Sequence, residues 1–334
     1  MKHVLVIPLR FIGDTVLSVP LIRNIARNFP QAQIDVLLSD ISAPLLEPCP
    51  DVHAVLHEPK SAWRTMQMIH RGHYDAVFIL RKSVTMALMC RLAGVKQIIG
   101  YDKQRFPFGY RRWGCFLDNK ARYPSLKTQT PQAISHLGLL SACGLPVYDD
   151  YLELWTTPDD EQRVTQLLAE SGIDSEKPLA VVHAVSASHG KTLEIQKYAD
   201  AVRQLLDEGY QVIATGTAAD TPVYQSLDAR IINWCGKTSL RETFALYKRI
   251  QIIVTVDSSP LHMAAAANVP RIVGVFGPTN EKQWGPHSQT SRFEPVLIDL
   301  PCRPCYAKIC AHNNCRMTMT AGHIAAAVQN ALAN

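Results

Sequence analysis

Polar residues suited to binding phosphate follow one buried strand in the second half of the chain. Residues 252–256 form a β-branched run typical of a parallel strand, and Asp257, Ser258 and Ser259 come directly after it. His262 lies in the first turn of the helix that these residues introduce. Free N–H groups and the positive end of the helix dipole attract phosphate, so the pattern predicts a phosphate site here. A packed, hydrogen-bonded histidine is the alternative for His262.

Two further loops follow strands of the same half. The first runs from Ser186 to Lys191, and its backbone N–H groups and one mobile charge could hold a pyrophosphate. The loop is not a P-loop, because that motif would require a glycine in place of Val185. The alternative to a pyrophosphate site is that Lys191 is an ordinary surface lysine. The second loop contains Gly216 and Asp220, and its carboxylate suits either a ribose contact or a helix cap.

A carboxylate also stands at the first strand-to-helix junction of the chain. Gly13 and Asp14 follow the predicted strand over residues 3–8, at the edge where doubly wound sheets place their functional groups. Asp14 could cap a helix that begins at Thr15. It could also act as a general base that takes a proton from a hydroxyl.

Four cysteines near the C-terminus are spaced closely enough to suggest a metal site. Thiolates at such spacing favour zinc or iron–sulfur, but the paired CxxC…CxxC form is absent, so a loop of reduced thiols is the default interpretation. These residues are Cys302, Cys305, Cys310 and Cys315. The chain has nine cysteines, an odd number that argues against a disulfide framework.

Residues 101–127 combine basic and aromatic side chains. Arg105, Arg111 and Arg112 are among seven cations that accompany only two acids there. The composition indicates either a surface for an anionic, partly apolar partner or a solvated loop. Nucleic acid is disfavoured because no recognition helix or RNA-binding signature accompanies the patch.

The bulk composition indicates a folded, non-membrane protein of two domains. The 334 residues are 47% hydrophobic and 19% charged, with a formal net charge of +5. No apolar run approaches the roughly 20 residues that span a bilayer, and the N-terminus lacks a signal-peptide pattern. We therefore expect a cytoplasmic protein with domains over residues 1–150 and 151–334. The sequence does not indicate an oligomeric state.

Strands alternate with helices in both halves, which predicts parallel sheets covered on both faces. The first half has predicted strands over 3–8, 34–38, 54–56, 75–80 and 98–100, and helices over 15–28, 63–70, 84–92 and 130–143, with another after Asp40. The second half has predicted strands over 179–183, 211–215, 252–256, 271–276 and 296–298, and helices over 195–207, 220–227, 239–247, 261–267 and 321–333. We expect the last helix to pack back on the first domain.

Taken together, these motifs resemble glycosyltransferase family 9, the bacterial ADP-heptose:lipopolysaccharide heptosyltransferases. The resemblance spans nearly the whole chain and rests on residues 10–20, 183–191, 236–242, 257–266, 276–279 and 301–305. There are departures: Ser259 replaces a common glycine, Ala184-Val185 replaces Pro-Gly, and Leu193 replaces a frequent tryptophan. These departures leave the identity of the donor sugar open.

The resemblance implies a GT-B fold, in which two Rossmann-like domains face a central cleft. The first domain would bind the acceptor and the second the nucleotide sugar. The implied catalytic residues are Asp14, as the base, and Lys191. The donor-binding residues would be Ser186, Gly216, Asp220, Thr238, Asp257, Ser258, Ser259, His262 and Gly277. The acceptor-binding residues would be Arg10, Gly13, Arg105, Arg111 and Arg112.

The implied reaction is the inverting transfer of a heptose from ADP-heptose to the inner core of lipopolysaccharide, on a lipid A–Kdo or heptosyl acceptor. No metal or other cofactor would be required. The resemblance also implies peripheral placement on the cytoplasmic face of the inner membrane, where the anionic acceptor lies. Three alternatives stay open: another donor sugar, a nucleotide-sugar 2-epimerase, and a non-catalytic nucleotide-sugar-binding protein.

Overall fold

A computed structural model of the chain describes residues 1–102, 116–188, 190–307 and 310–333. The chain divides into two compact units. The first comprises Met1–Ser125 and Thr130–Trp155, and the second comprises Leu126–Gln129 and Thr156–Asn334. The division of roles between an acceptor domain and a donor domain remains a prediction.

The first unit is built on a six-stranded parallel sheet. Its strands are β1 (His3–Ile7), β2 (Gln33–Leu38), β3 (Ala54–His57), β4 (Ala76–Ile79), β5 (Gln97–Asp102) and β6 (Asn119–Arg122). They lie in the order β3-β2-β1-β4-β5-β6. The chain direction across the sheet switches between β1 and β4, so the crevice for a ligand lies at the carboxyl ends of those two strands.

The helices of the first unit are α1 (Ile12–Asn28), α2 (Ala62–Arg71), α3 (Val84–Leu92) and α4 (Gln132–Ser141). The helix predicted over 15–28 begins three residues earlier, at Ile12. The helix expected after Asp40 is only a 3₁₀ turn, Ala43–Leu45. The polar strand β6 was not predicted.

The second unit repeats this sheet topology. Its strands are β7 (Leu179–His183), β8 (Gln211–Ala214), β9 (Ile232–Asn233), β10 (Ile252–Val256), β11 (Arg271–Val275) and β12 (Arg292–Val296). The order is β12-β11-β10-β7-β8-β9, and all neighbours are parallel. The switch point lies between β7 and β10. The strand predicted over 296–298 lies instead over residues 292–296, so the two ranges share only Val296.

The helices of the second unit are α5 (Pro158–Glu170), α6 (Ala199–Asp207), α7 (Thr221–Tyr224), α8 (Leu240–Tyr247), α9 (Ser259–Ala266), α10 (Glu281–Trp284), α11 (Asn314–Met317) and α12 (Ala321–Leu332). The α/β class with doubly wound parallel sheets is confirmed. Helix α12 packs against α6, β11 and β12 of its own unit, and its packing on the first unit stays a prediction.

The inner strands of both sheets are apolar on their two faces, as strands covered by helices require. All five residues of β10 are buried, and so are Val4, Leu5, Val6 and Ile7 of β1. None of the helices that the structure describes has the length and apolarity of a membrane-spanning helix.

Four residues, 126–129, belong to the second unit although the chain on both sides of them belongs to the first. The side chain of Asn280 holds this segment, donating from Nδ2 to the carbonyl oxygens of Leu126 at 3.0 Å and Thr128 at 2.8 Å. Asn280 is only 5% exposed. Its amide is therefore satisfied by a stretch of chain about 150 residues away.

Candidate active site

Three polar side chains meet at the switch point of the second unit. Asp257, directly after β10, accepts a hydrogen bond from Thr279 Oγ1 and forms an ion pair with Lys191 at 2.9 Å between Nζ and Oδ2. The Asp257 side chain is 2% exposed and that of Lys191 is 26% exposed. The carboxylate therefore holds the lysine at the carboxyl ends of the strands, where its ammonium still reaches solvent.

Helix α9 begins beside this ion pair, and the side chain of its N-cap residue does not cap its first N–H groups. Its N-cap residue, Ser258, has extended backbone angles, but the Ser258 hydroxyl makes no capping hydrogen bond. Ser259 is the first residue of the helix, and Pro260 follows it. An uncapped helix start presents N–H donors and a partial positive charge, which suits a phosphate group.

His262 lies in the first turn of α9 and is 4% exposed. Burial lowers the pKa of its imidazole to about 4; the Lys191 ammonium also lowers it, while the Asp257 carboxylate opposes the shift. The ring is therefore neutral near pH 7. Its Nδ1 is buried and has no hydrogen-bond partner among the described residues, which argues against the packed, hydrogen-bonded alternative.

The loop from Ser186 to Lys191 is folded by hydrogen bonds of its own. The Ser188 N–H donates to Ser186 Oγ at 3.2 Å, and the Lys191 N–H donates to the Ser188 carbonyl at 2.9 Å. A Cβ on Gly277 would lie 3.3 Å from the Gly190 carbonyl oxygen, so the missing side chain lets the two loops approach. The predicted positions Ser186, Lys191 and Gly277 are thus brought together.

Arg303 supports the loop after β11 and was not predicted. Its guanidinium donates from Nε to the Gly277 carbonyl at 2.7 Å and from Nη2 to the Thr279 carbonyl at 2.8 Å. The side chain is 6% exposed and also contacts Glu281. Because Thr279 in turn bonds Asp257, the arginine fixes one wall of the site. In the sequence, Arg303 stands between Pro301 and Pro304, in the segment that also contains Cys302 and Cys305.

The four C-terminal cysteines, whose spacing suggested a metal site, are all among the described residues. Within the described ranges, no group of three or more His, Cys, Asp or Glu side chains could hold a metal ion. Cys302 and Cys305 are exposed free thiols. Backbone N–H groups of Asn313 and His312 lower the pKa of Cys310, whereas burial raises that of Cys315, so the thiols occupy dissimilar surroundings.

Two more predicted positions, Gly216 and Asp220, lie in the turn after β8, and a third, Thr238, follows β9. Asp220 accepts hydrogen bonds from both the N–H and the hydroxyl of Thr217 at 2.7 Å, which is a helix-capping role. Gly236 has φ +73°, and a Cβ there would lie 2.6 Å from the Cβ of Ala218, so only glycine fits. Thr238 follows, with its hydroxyl 2.9 Å from that of Thr243. A ribose contact by Asp220 stays a prediction.

In the first unit, Asp14 lies in the first turn of α1, directly beyond β1, and is 7% exposed. The N-cap of this helix is Phe11, so the alternative of Asp14 as a cap was wrong. Gly13 is also inside the first turn. The carboxylate stands at the switch point, near the positive end of the helix dipole.

Glu58 and Arg81, which the sequence analysis did not identify, hold together loops at the same edge of this sheet. Glu58, after β3, accepts hydrogen bonds from Arg10 at 2.9 Å and from Arg81 at 2.9 and 3.1 Å. Its side chain is 5% exposed. Burial raises the pKa of Glu58, but the two guanidinium groups outweigh burial and lower it below the usual value. The predicted acceptor residues Arg105, Arg111 and Arg112 lie outside the described residues.

Comparisons with known proteins identify relatives of this chain. The model of glycosyltransferase family 9 (heptosyltransferase) matches residues 62–315. Lipopolysaccharide heptosyltransferase 2 of Escherichia coli (strain K12) is 28% identical over 312 residues, covering 86% of each chain. The structure of E. coli ADP-heptose lps heptosyltransferase II aligns with TM-score 0.73 and 24% identity over 99% of both chains. That of E. coli heptosyltransferase WaaC with ADP aligns with TM-score 0.70 and 14% identity, covering 98% of this chain and 99% of that one. These likenesses confirm the predicted GT-B fold.

Proposed function

The chain belongs to glycosyltransferase family 9, and from this premise we propose that it transfers a heptose from ADP-heptose to the inner core of lipopolysaccharide, with inversion at the anomeric carbon. The observation that carries the proposal is the group of Lys191, Asp257 and His262 at the uncapped start of α9. Relatives named as heptosyltransferases support transfer over the epimerase alternative.

In the proposed reaction Asp14 takes the proton from an acceptor hydroxyl. The hydroxyl oxygen forms a new bond to the anomeric carbon as the bond from that carbon to the diphosphate oxygen breaks. ADP leaves with the electron pair. Lys191, the neutral His262 and the N–H groups of α9 would stabilise the charge that develops on the diphosphate. These groups supply what a divalent ion would supply elsewhere, so the proposal includes no metal.

The remaining donor contacts are proposed from position. The diphosphate would lie at Lys191 and the start of α9. The residues assigned to this place are Ser186, Ser258, Ser259 and Gly277. Gly216, Asp220 and Thr238 belong to the neighbouring turns and are assigned to the nucleoside. A relative's structure holds ADP, which supports ADP as the nucleotide of the proposed donor.

The acceptor is assigned to the first unit. Arg10, whose side chain is 65% exposed, and Gly13 stand beside Asp14, and Arg105, Arg111 and Arg112 complete the proposed contacts. Guanidinium groups suit an acceptor rich in phosphate and carboxylate. Because that acceptor is linked to a lipid, we place the protein peripherally on the cytoplasmic face of the inner membrane.

Asp14→Asn tests the proposal. With ADP-heptose and a deacylated, water-soluble acceptor, loss of the base should lower turnover about 10²- to 10⁴-fold. The affinity for ADP, measured by calorimetry, should stay within about twofold because the donor residues are untouched. Asp40→Asn is the matched control, since Asp40 is an exposed acid after β2 of the same sheet. Unchanged turnover by Asp14→Asn would refute the assigned base, and tighter binding of UDP than of ADP would refute the donor.

A further inference from the structure

Three large apolar side chains are exposed at one edge of the first unit. Phe11 is 71% exposed, Ile41 is 69% exposed and Trp63 is 62% exposed. They follow β1, β2 and β3, which are adjacent parallel strands, so all three stand at the carboxyl edge of the sheet. Exposed apolar side chains gathered at one place mark an interaction surface more than scattered ones do.

Hydrogen bonds join the three loops that carry these side chains. Ser39 Oγ, in the loop after β2, donates to the Arg10 carbonyl at 3.2 Å. Arg10 donates from Nε and Nη2 to the two carboxylate oxygens of Glu58, after β3, at 2.9 Å each. The loops therefore form one connected surface.

The surroundings of this surface are cationic. Helix α2, which begins with Ala62 and Trp63, contains no acidic residue, and Arg64 lies in its first turn directly after Trp63. Only two of its residues are buried, and the exposed Lys60 precedes it. A basic amphipathic helix with a tryptophan is typical of segments that lie on a membrane surface.

Two carboxylates lie near the surface, and neither removes its positive character. Glu58 is buried beneath Arg10 and Arg81, which together exceed its charge. Asp40 is exposed and carries one negative charge, against the two positive charges of Lys60 and Arg64.

We propose that this membrane-facing surface, composed of Phe11, Ile41, Lys60, Trp63 and Arg64, docks on an anionic lipid bilayer. Indole and phenyl rings partition into the headgroup region, while lysine and arginine attract anionic lipid. Phe11 directly precedes the helix that carries Asp14, so docking brings the proposed base to the headgroups. This consequence rests on the proposed function, because a lipid-linked acceptor gives the location its use.

Vesicle binding tests the surface without any acceptor. Purified protein should bind phosphatidylcholine vesicles that contain phosphatidylglycerol, and bind less at high salt. The double variant Ile41→Ser/Trp63→Ser should lower the partition coefficient at least about tenfold, and Lys60→Gln/Arg64→Gln by a similar factor. Leu92→Ser should change it less than about twofold, because Leu92 is 66% exposed but ends α3 at the opposite edge of the sheet.

Tryptophan fluorescence adds a readout of position. Brominated lipid should quench the wild type more than Trp63→Phe, since the variant retains an aromatic ring but lacks that indole. The proposal is overturned if wild type ignores anionic vesicles, or if Leu92→Ser loses as much binding as the double variant. It is also overturned if the double variant lowers the molar mass by light scattering, which would mean that a second copy covers the surface.

Turnover separates this proposal from the proposed function. The Ile41→Ser/Trp63→Ser variant should match wild type on a deacylated acceptor and fall behind it on acceptor embedded in vesicles. Vesicle binding without turnover of any acceptor would overturn the function and leave the surface intact. Turnover of soluble acceptor without vesicle binding would overturn the membrane-facing surface and leave the proposed function intact.

Discussion

Replacing Lys191 by glutamine tests whether the lysine binds the diphosphate or only neutralises Asp257. Its ammonium lies 2.9 Å from the carboxylate, which is 2% exposed and has Thr279 as its other side-chain partner. The substitution removes the cation while keeping a similar length and a hydrogen-bond donor. Both roles therefore predict a loss, but of different quantities.

The size of each loss follows from the contacts. A hydrogen bond to a charged group contributes about 1.5–3 kcal/mol, so the Kd for ADP should rise about 10- to 150-fold if Lys191 contacts the diphosphate. The free energy of unfolding should fall by about 1–3 kcal/mol, because a buried carboxylate loses its counter-charge. This figure is below that of a fully buried pair, since Lys191 is 26% exposed and solvent screens part of the attraction.

The assay combines calorimetry of ADP with chemical unfolding of the same samples. In the double variant Lys191→Gln/Asp257→Asn most of the lost stability should return, because a neutral amide needs no counter-charge, while the affinity for ADP stays low. Lys197→Gln is the matched control: Lys197 donates to the Arg316 carbonyl at 2.7 Å and should leave ADP affinity within about twofold. If the double variant recovers wild-type ADP affinity, the lysine serves only Asp257 and the reasoning is refuted.

Three further outcomes are expected. Arg303→Gln should weaken ADP binding and lower the unfolding free energy by about 2–4 kcal/mol, with Arg303→Lys intermediate, because two buried carbonyls lose a charged donor; calorimetry and urea unfolding measure both. The imidazole of His262 has a pKa of about 4 when folded and about 6.5 when unfolded, so the unfolded chain binds a proton that the folded chain does not, and stability is lost as the pH falls from about 6.5 toward 4. Urea unfolding at pH 7 and pH 5 should show a loss smaller by about 2 kcal/mol in His262→Gln than in wild type, and an equal loss would contradict the burial argument. Gly236→Ala should lower the melting temperature measurably, because a Cβ would lie 2.6 Å from that of Ala218, and an unchanged melting temperature would count against that contact.

Where local pattern and tertiary environment agree, the sequence predicted the structure well. The β-branched run of β10 followed by small polar residues predicted the strand and the helix start that carry Asp257 and His262. The alternation of strands and helices predicted the fold class. Parallel strands buried on both faces leave a near-continuous apolar run in the sequence.

Where the structure differs from the prediction, the local signal was weak. Helix α1 starts after Phe11, which has no polar side chain to act as a cap, so the sequence predicts the start of the helix only at Thr15. Strand β6, with the sequence Asn-Lys-Ala-Arg, is a partly exposed strand at the edge of the sheet and lacks the apolar run that identifies an inner strand.

The unpredicted site residues depend on contacts between distant parts of the chain. Glu58 lies 48 positions from the predicted Arg10 and 23 positions from Arg81, and Arg303 reaches carbonyl groups 24 and 26 positions away. No spacing rule for one helix or strand contains such pairs. They follow only from the order of the strands, which brings the loops after β1 and β3 to one edge.

The tetrapeptide 126–129 limits where the chain can be divided to make fragments or chimaeras. The chain crosses between its units three times, at residues 125/126, 129/130 and 155/156. A fragment beginning at residue 156 would lack the carbonyl groups that satisfy Asn280 and would leave a buried amide without its acceptors. A chimaera that exchanges the second unit with that of a relative must therefore carry these four residues along, although they are inserted in the sequence of the first.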